Sequence, residues 1–202
     1  MNPLTTIKGT LTAGVVLAIV IAVIAALTTG GGISVEMTKM LSLFIWLHLL
    51  AGITWIGLLY YFNFVQMPAL AAAAADQGGP GGAAITKYVA PRALLWFRWG
   101  AVVTWLSGAS YLLHTHRFVS VFTLAGGIDT MLGIGAWLGT IMAINVWVVI
   151  WPNQKKVLGL VEATADQIAK ARKVATLASR TNAMLSIPML MSMAGAHHGY
   201  FI

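Results

Sequence analysis

MLSLFIWLHLLAGITWIGLLYYFNFV, residues 40–65, runs for 26 residues without an Asp, Glu, Lys or Arg. As a helix it would be about 39 Å long, more than the roughly 30 Å of a bilayer's hydrocarbon core. A chain in hydrocarbon must satisfy its own backbone hydrogen bonds, which leaves helices or a closed barrel, and a barrel strand needs only about ten residues. This stretch is therefore a helix. Similar apolar runs lie on either side of it, near Leu11 to Thr29, Ala93 to Leu113, Met131 to Trp151 and Thr181 to Tyr200. The sequence predicts an all-α integral membrane bundle of about five transmembrane helices in one domain, residues 1–202. Composition agrees: 59% hydrophobic and 8% charged residues, with a mean hydropathy of +0.85, are too apolar for one soluble core to hide.

The first run follows Lys8 in the manner of a secretory signal, but no small-x-small cleavage site follows at Thr28-Thr29-Gly30, so it is read as a retained anchor. Basic residues set the orientation. With the N-terminus in the cytoplasm, the inner segments collect Lys8, Lys87, Arg92, Lys155, Lys156, Lys170, Arg172, Lys173 and Arg180, against Lys39 and Arg117 outside. The net charge of +7 thus reads as topology. It does not read as nucleic-acid binding, for which no basic face with interleaved aromatics is present.

Between the spans, Gly78-Gly79-Pro80-Gly81-Gly82 is a flexible breaker. In residues 154–178 Val157, Leu160, Val161, Ile168, Ala171 and Ala175 recur near helical spacing. This segment predicts an amphipathic cytoplasmic helix that lies on the membrane surface or extends the last span.

With no cysteine, disulfides, thiolate metal sites, iron–sulfur clusters and covalently attached haem are excluded, leaving imidazole and thioether as ligands. The five histidines gather toward the outer side. His48 lies about eight residues, roughly 12 Å, inside its span. His114 and His116 close the third span, and His197 and His198 close the fifth. Gly52 and Trp55, four and seven residues beyond His48, share its helix face. They offer a cleared surface and an aromatic wall to a flat macrocycle, although Gly52 serves equally for close helix packing. Gly135 and Gly139 of the fourth span read as packing. At the inner side stand Asn63, Arg98, Asn145, Arg180, Asn182 and Ser186, with no carboxylate in any span at that depth to pair Arg98. Arg98 either snorkels to the headgroups or holds an anion such as a propionate, a quinone oxygen or an acidic substrate. Pro188 removes the backbone bond to Met184, which predicts a kink.

Three motifs carry a resemblance: His48-Leu-Leu-Ala-Gly-Ile-Thr-Trp-Ile-Gly-Leu-Leu-Tyr-Tyr-Phe-Asn63; Trp96-Phe-Arg-Trp-Gly-Ala101 with Thr104-Trp105; and Arg180-Thr-Asn-Ala-Met-Leu-Ser-Ile-Pro-Met189 through to His197. Over residues 38–202 the chain resembles the membrane domain of the cytochrome-c-linked bacterial urate oxidases, or urate hydroxylases. The first motif is also similar to membrane protoporphyrinogen oxidases and copper-resistance membrane proteins, where a histidine early in a span is associated with haem or metal. Longer members of the urate oxidase family end in a c-type cytochrome, for which this sequence has no cysteine. The resemblance thus implies electron transfer to another chain.

The sequence is read as a b-type haem-binding redox, electron-transfer or accessory subunit of a larger respiratory or oxidase complex in a bacterial inner membrane, with its C-terminus periplasmic. Its partners would be lipid and other membrane subunits or a c-type cytochrome. His48 and His197 are the expected axial ligands of the haem iron, with His114 or His198 as substitutes. Gly52, Trp55 and Arg98 would lie beside the cofactor, and Trp105 and Met193 would form its sleeve. Two alternatives stand beside this reading. One is a urate-hydroxylase-like oxidoreductase in which Arg98, Asn63 and Asn182 bind an anionic purine; the other is a haem-free structural subunit.

Overall fold

The computed structural model describes residues 2–28 and 37–198, with the side chains of residues 37–39, 197 and 198 outside the description. Every regular element among the described residues is helical. The chain divides into two compact units, Met1–Ser42 and Leu43–Ile202.

In the first unit a single 3₁₀ turn, Pro3–Thr5, is capped by Asn2, whose Oδ1 accepts from the Leu4 N–H at 2.9 Å. Helix α1, Ile7–Thr28, follows, with no buried residue and no charged residue after Lys8. The first residues of α2, Met37–Tyr60, complete the unit.

The second unit holds the rest of α2, then α3 (Met67–Ala75), α4 (Ala90–His114), α5 (Phe118–Phe122), α6 (Gly127–Asn145), α7 (Trp151–Val157) and α8 (Ala165–His198). Three π-helical turns join or precede them: Tyr61–Gln66 between α2 and α3, Ile85–Val89 before α4, and Val146–Ile150 between α6 and α7. Each is followed, two residues beyond its last, by a proline, namely Pro68, Pro91 and Pro152. Proline has no N–H to offer the carbonyl four residues back, and its ring crowds that carbonyl. The helix yields by widening one turn, so the residue before each proline donates five residues back. Met67 bonds to Phe62, Ala90 to Ile85, and Trp151 to Val146. Pro188, in contrast, lies inside the continuous helix α8.

The predicted amphipathic helix over 154–178 is two elements. Gly159, at φ +70°, ends α7: its N–H reaches the Lys156 carbonyl, and that of Leu160 reaches Lys155. Thr164 and Gln167 then start α8 with reciprocal side-chain-to-backbone bonds of 3.0 and 3.3 Å. Only part of the apolar stripe packs against protein: Ala171 and Ala175 are buried and α8 packs on α7, whereas Leu160 and Val161 are exposed. Residues 165–178 continue in one helix with 179–198.

The core gathers Trp55, Leu59, Phe62, Phe97, Met142, Val146, Ile150 and Met189 from α2, α4, α6, α8 and two π turns. A smaller cluster of Leu112, Val121, Leu132 and Ala196 lies under α5. Outward faces are apolar: Ile53 is 70% exposed, Val148 67% and Ile187 67%. Among the described residues three helical stretches, Ile7–Thr28, Met40–Ala75 and Gly127–Val157, are long and apolar enough to cross a bilayer.

Candidate functional site

His48 is half-buried on α2, and its Nδ1 lies 2.8 Å from the Thr104 carbonyl of α4. A carbonyl only accepts, so Nδ1 carries the proton and Nε2 carries the lone pair. An imidazole fixed through one nitrogen presents the other as a ligand of set orientation. The approach depends on Gly108, because a Cβ there would stand 2.9 Å from the ring's Cε1 and Nδ1. Any side chain at 108 displaces the imidazole. The sequence reading missed Gly108, whose partner is sixty residues away.

The face expected to receive a macrocycle is taken by α4. A Cβ on Gly52 would meet the Thr104 methyl at 3.7 Å, an ordinary contact, and Trp55 is 2% exposed in the core. Beside it Gly100 lets α4 approach the Trp55 backbone, where a Cβ would come within 3.3 Å. Gly52 itself stays partly exposed. Trp105 donates through Nε1 to Thr140 at 2.9 Å, and Met193 fills the space left by Gly135, 3.1 Å from where a Cβ would be. Gly139 has open space before it.

His114 is exposed and bonds within its own helix, Nδ1 on the Ser110 carbonyl at 2.8 Å, with its ring 5.1 Å from that of Phe44, one turn before His48. His116 occupies a left-handed position, φ 56°, in the turn after α4. His197 and His198 close α8, but their side chains lie outside the described residues. Among the described residues no group of three or more His, Cys, Asp or Glu is placed to hold a metal.

The inner polar residues form two separate arrangements. One is a row of bonds along α8. Asn145 donates to the Asn182 Oδ1 at 2.7 Å and to the Ala178 carbonyl at 3.0 Å, and Asn182 donates to the Met142 carbonyl at 3.0 Å. Asn63, in the first π turn, donates to Ser179 at 2.8 Å, and the Tyr60 and Ser186 hydroxyls lie 2.8 Å apart. Asn182 and Ser186 are fully buried, so this row ties helices together. Asn182→Leu leaves the Met142 carbonyl and Asn145 short of partners. It is expected to cost about 1–3 kcal/mol, seen as a lower melting midpoint in detergent. An unchanged midpoint would count against the row as a structural tie.

Beside Asn63 lies a cavity of about 40 Å³, bordered by Gln66, Gln154, Thr176 and Ser179. It has room for about one or two waters but not for a purine.

Arg98 is the other arrangement. Only 9% exposed on α4, it lays its guanidinium over Trp151, with Cζ 3.3 Å from the ring centroid and 5.9 Å from that of Trp147. Trp147 is in the last π turn and Trp151 begins α7, one turn on. Stacking on an aromatic face is worth up to about 2 kcal/mol when desolvated. Burying the charge costs several times more unless an anion answers it. Yet Nε and Nη1 of Arg98, and Nε1 of Trp147, are buried without an acceptor. The sequence showed the missing carboxylate but not the two tryptophans, which come from a helix some fifty residues on.

Helices with apolar outward faces and polar groups held in their seams define a protein of membrane type. Within it, residues 118–202 match the urate oxidase N-terminal family. The match takes in the Arg180–Met189 motif; the motifs at His48 and Trp96 precede it. No curated protein and no solved structure matches the chain.

Proposed function

We propose that this chain is a membrane-embedded redox subunit, for electron transfer or as an accessory, in which His48 gives Nε2 to the iron of a b-type haem. The observation that carries the reading is the Nδ1–H bond to the Thr104 carbonyl, which fixes tautomer and orientation inside an apolar helix pair. The nitrogen donor fits haem; the surface at Gly52 and Trp55 does not, being covered by α4, and no cofactor contact is assigned to those two. His197 is the second axial ligand in this reading. A bound haem would supply one-electron transfer, with a separate c-type cytochrome or membrane subunit as partner. The test is a visible spectrum of the purified chain, expected to be that of a low-spin b-type haem.

The family match favours a second reading, an oxidoreductase of an anionic purine that passes electrons to a separate cytochrome c. Asn182 is engaged between helices and Asn63 borders only a water-sized cavity, which leaves Arg98 as the group suited to the substrate's charge. Urate-dependent reduction of added cytochrome c would favour this reading. A colourless chain without such activity would leave a structural subunit.

Five spans, formed by α1, α2, α4, α6 and α8 in a bacterial inner membrane, are part of the proposal, on the strength of the basic residues. Reporter fusions in the 158–164 turn are expected to report cytoplasm, and fusions after Ile202 the outside. A cytoplasmic signal from Ile202 would overturn this topology.

A further inference from the structure

The unanswered donors around Arg98 all belong to one place and all have the same sense. Nε and Nη1 of the guanidinium and Nε1 of Trp147 offer hydrogens, and no buried carbonyl, hydroxyl or carboxylate accepts them. Among the described residues Asp129 is taken by Arg117, while Asp76, Glu162 and Asp166 are exposed. Its Cζ lies 3.3 Å from the centre of the Trp151 ring, an aromatic surface with no lone pair to accept these hydrogens. Each two-pronged edge of a guanidinium uses Nε or Nη1, so a ligand bound at either edge satisfies at least one of the orphaned atoms.

We infer that Arg98, Trp147 and Trp151 form a binding site for an oxyanion supplied from outside the chain. The ligand is acceptor-only and compact at its head: the phosphodiester of a phospholipid or a free oxyanion such as phosphate or an anionic purine. This site is independent of His48 and of any haem. It deepens the purine reading only if the free anion proves to be urate.

The test uses the whole chain, purified and stripped of lipid in a neutral detergent. It is titrated separately with phosphatidylglycerol, inorganic phosphate and sodium urate, with tryptophan emission and native mass spectrometry as readouts. Wild type is expected to give a saturable emission change and one bound ligand with at least one probe. Arg98→Gln should weaken it at least tenfold and Arg98→Lys about threefold, because lysine keeps charge without the fork. Trp147→Phe, which keeps the ring and loses the N–H, should also weaken it about threefold; it carries the test if Arg98→Gln fails to insert. Arg180→Gln, on the exposed face of α8, should bind as wild type does. Saturation by phosphatidylglycerol alone assigns a lipid, and saturation by phosphate or urate assigns a soluble anion. No saturable response to any probe, or equal binding by wild type, Arg98→Gln and Trp147→Phe, overturns the site, while a haem spectrum would be untouched by that failure.

Discussion

The His48→Ala chain, purified from haem-replete cells, is expected to lose the low-spin b-type spectrum or convert it to high spin, with its helices still inserted. The expectation rests on tautomer and placement: His48 is pinned through Nδ1 to α4, so its loss removes a pre-oriented nitrogen without cutting a core contact. Gly108→Ala should act in the same direction, because a methyl group 2.9 Å from the ring pushes the imidazole off the Thr104 carbonyl. His116→Ala should leave the spectrum as it is, since that residue serves a turn. Wild type that purifies colourless, or a Soret band unaltered after both His48 and His197 are replaced, would sink the ligand assignment.

Gly133→Ala is expected to be the most damaging small change to the fold. A Cβ at 133 would stand 2.1 Å from the Val121 carbonyl oxygen and 2.6 Å from Leu124 Cδ2. The first of these is backbone, fixed by the turn that ends α5 and by the Trp137 Nε1 bond to the Phe122 carbonyl at 3.0 Å. With no flexible atom to move aside, α5 must lift off α6. The cost should be about 3 kcal/mol, the upper end for overpacking, or a melting midpoint about 6–12 °C lower for a chain of this size. Gly139→Ala, on the same helix, meets nothing within 4 Å. It should be neutral or stabilising by up to about 1 kcal/mol, since alanine is the better helix former. Equal effects at the two positions would contradict the packing of α5 on α6.

What the sequence made legible was local. The helical spans followed from uncharged run lengths such as 40–65, because in hydrocarbon the backbone has few options. The widened turns were just as local and were missed, although Pro68, Pro91 and Pro152 announce them. Pro188, where the sequence predicts a kink, lies inside one continuous helix. The sites depend on pairings between distant helices. Nothing near His48 in sequence points to Thr104 or Gly108, and nothing near Arg98 points to Trp147 and Trp151. Hydrophobic pattern gives which face is buried but not against which neighbour. Gly52 and Trp55 show the limit: the sequence puts them on one helix face, and only the structure shows α4 passing beside it.

Helix α8 has 34 residues, a beam of about 51 Å at 1.5 Å per residue. Asn182 stands at its middle, hydrogen-bonded to Asn145 and to the Met142 carbonyl of α6. One end carries Lys170, Arg172 and Lys173, exposed to whatever meets that side, and the other carries His197. A polar clamp at mid-length leaves neither arm longer than about 25 Å, so it resists sliding and turning of α8 on α6 better than the same bonds placed near one end would. Pro188, lacking the N–H that would reach Met184, makes the arm toward His198 the more pliant of the two.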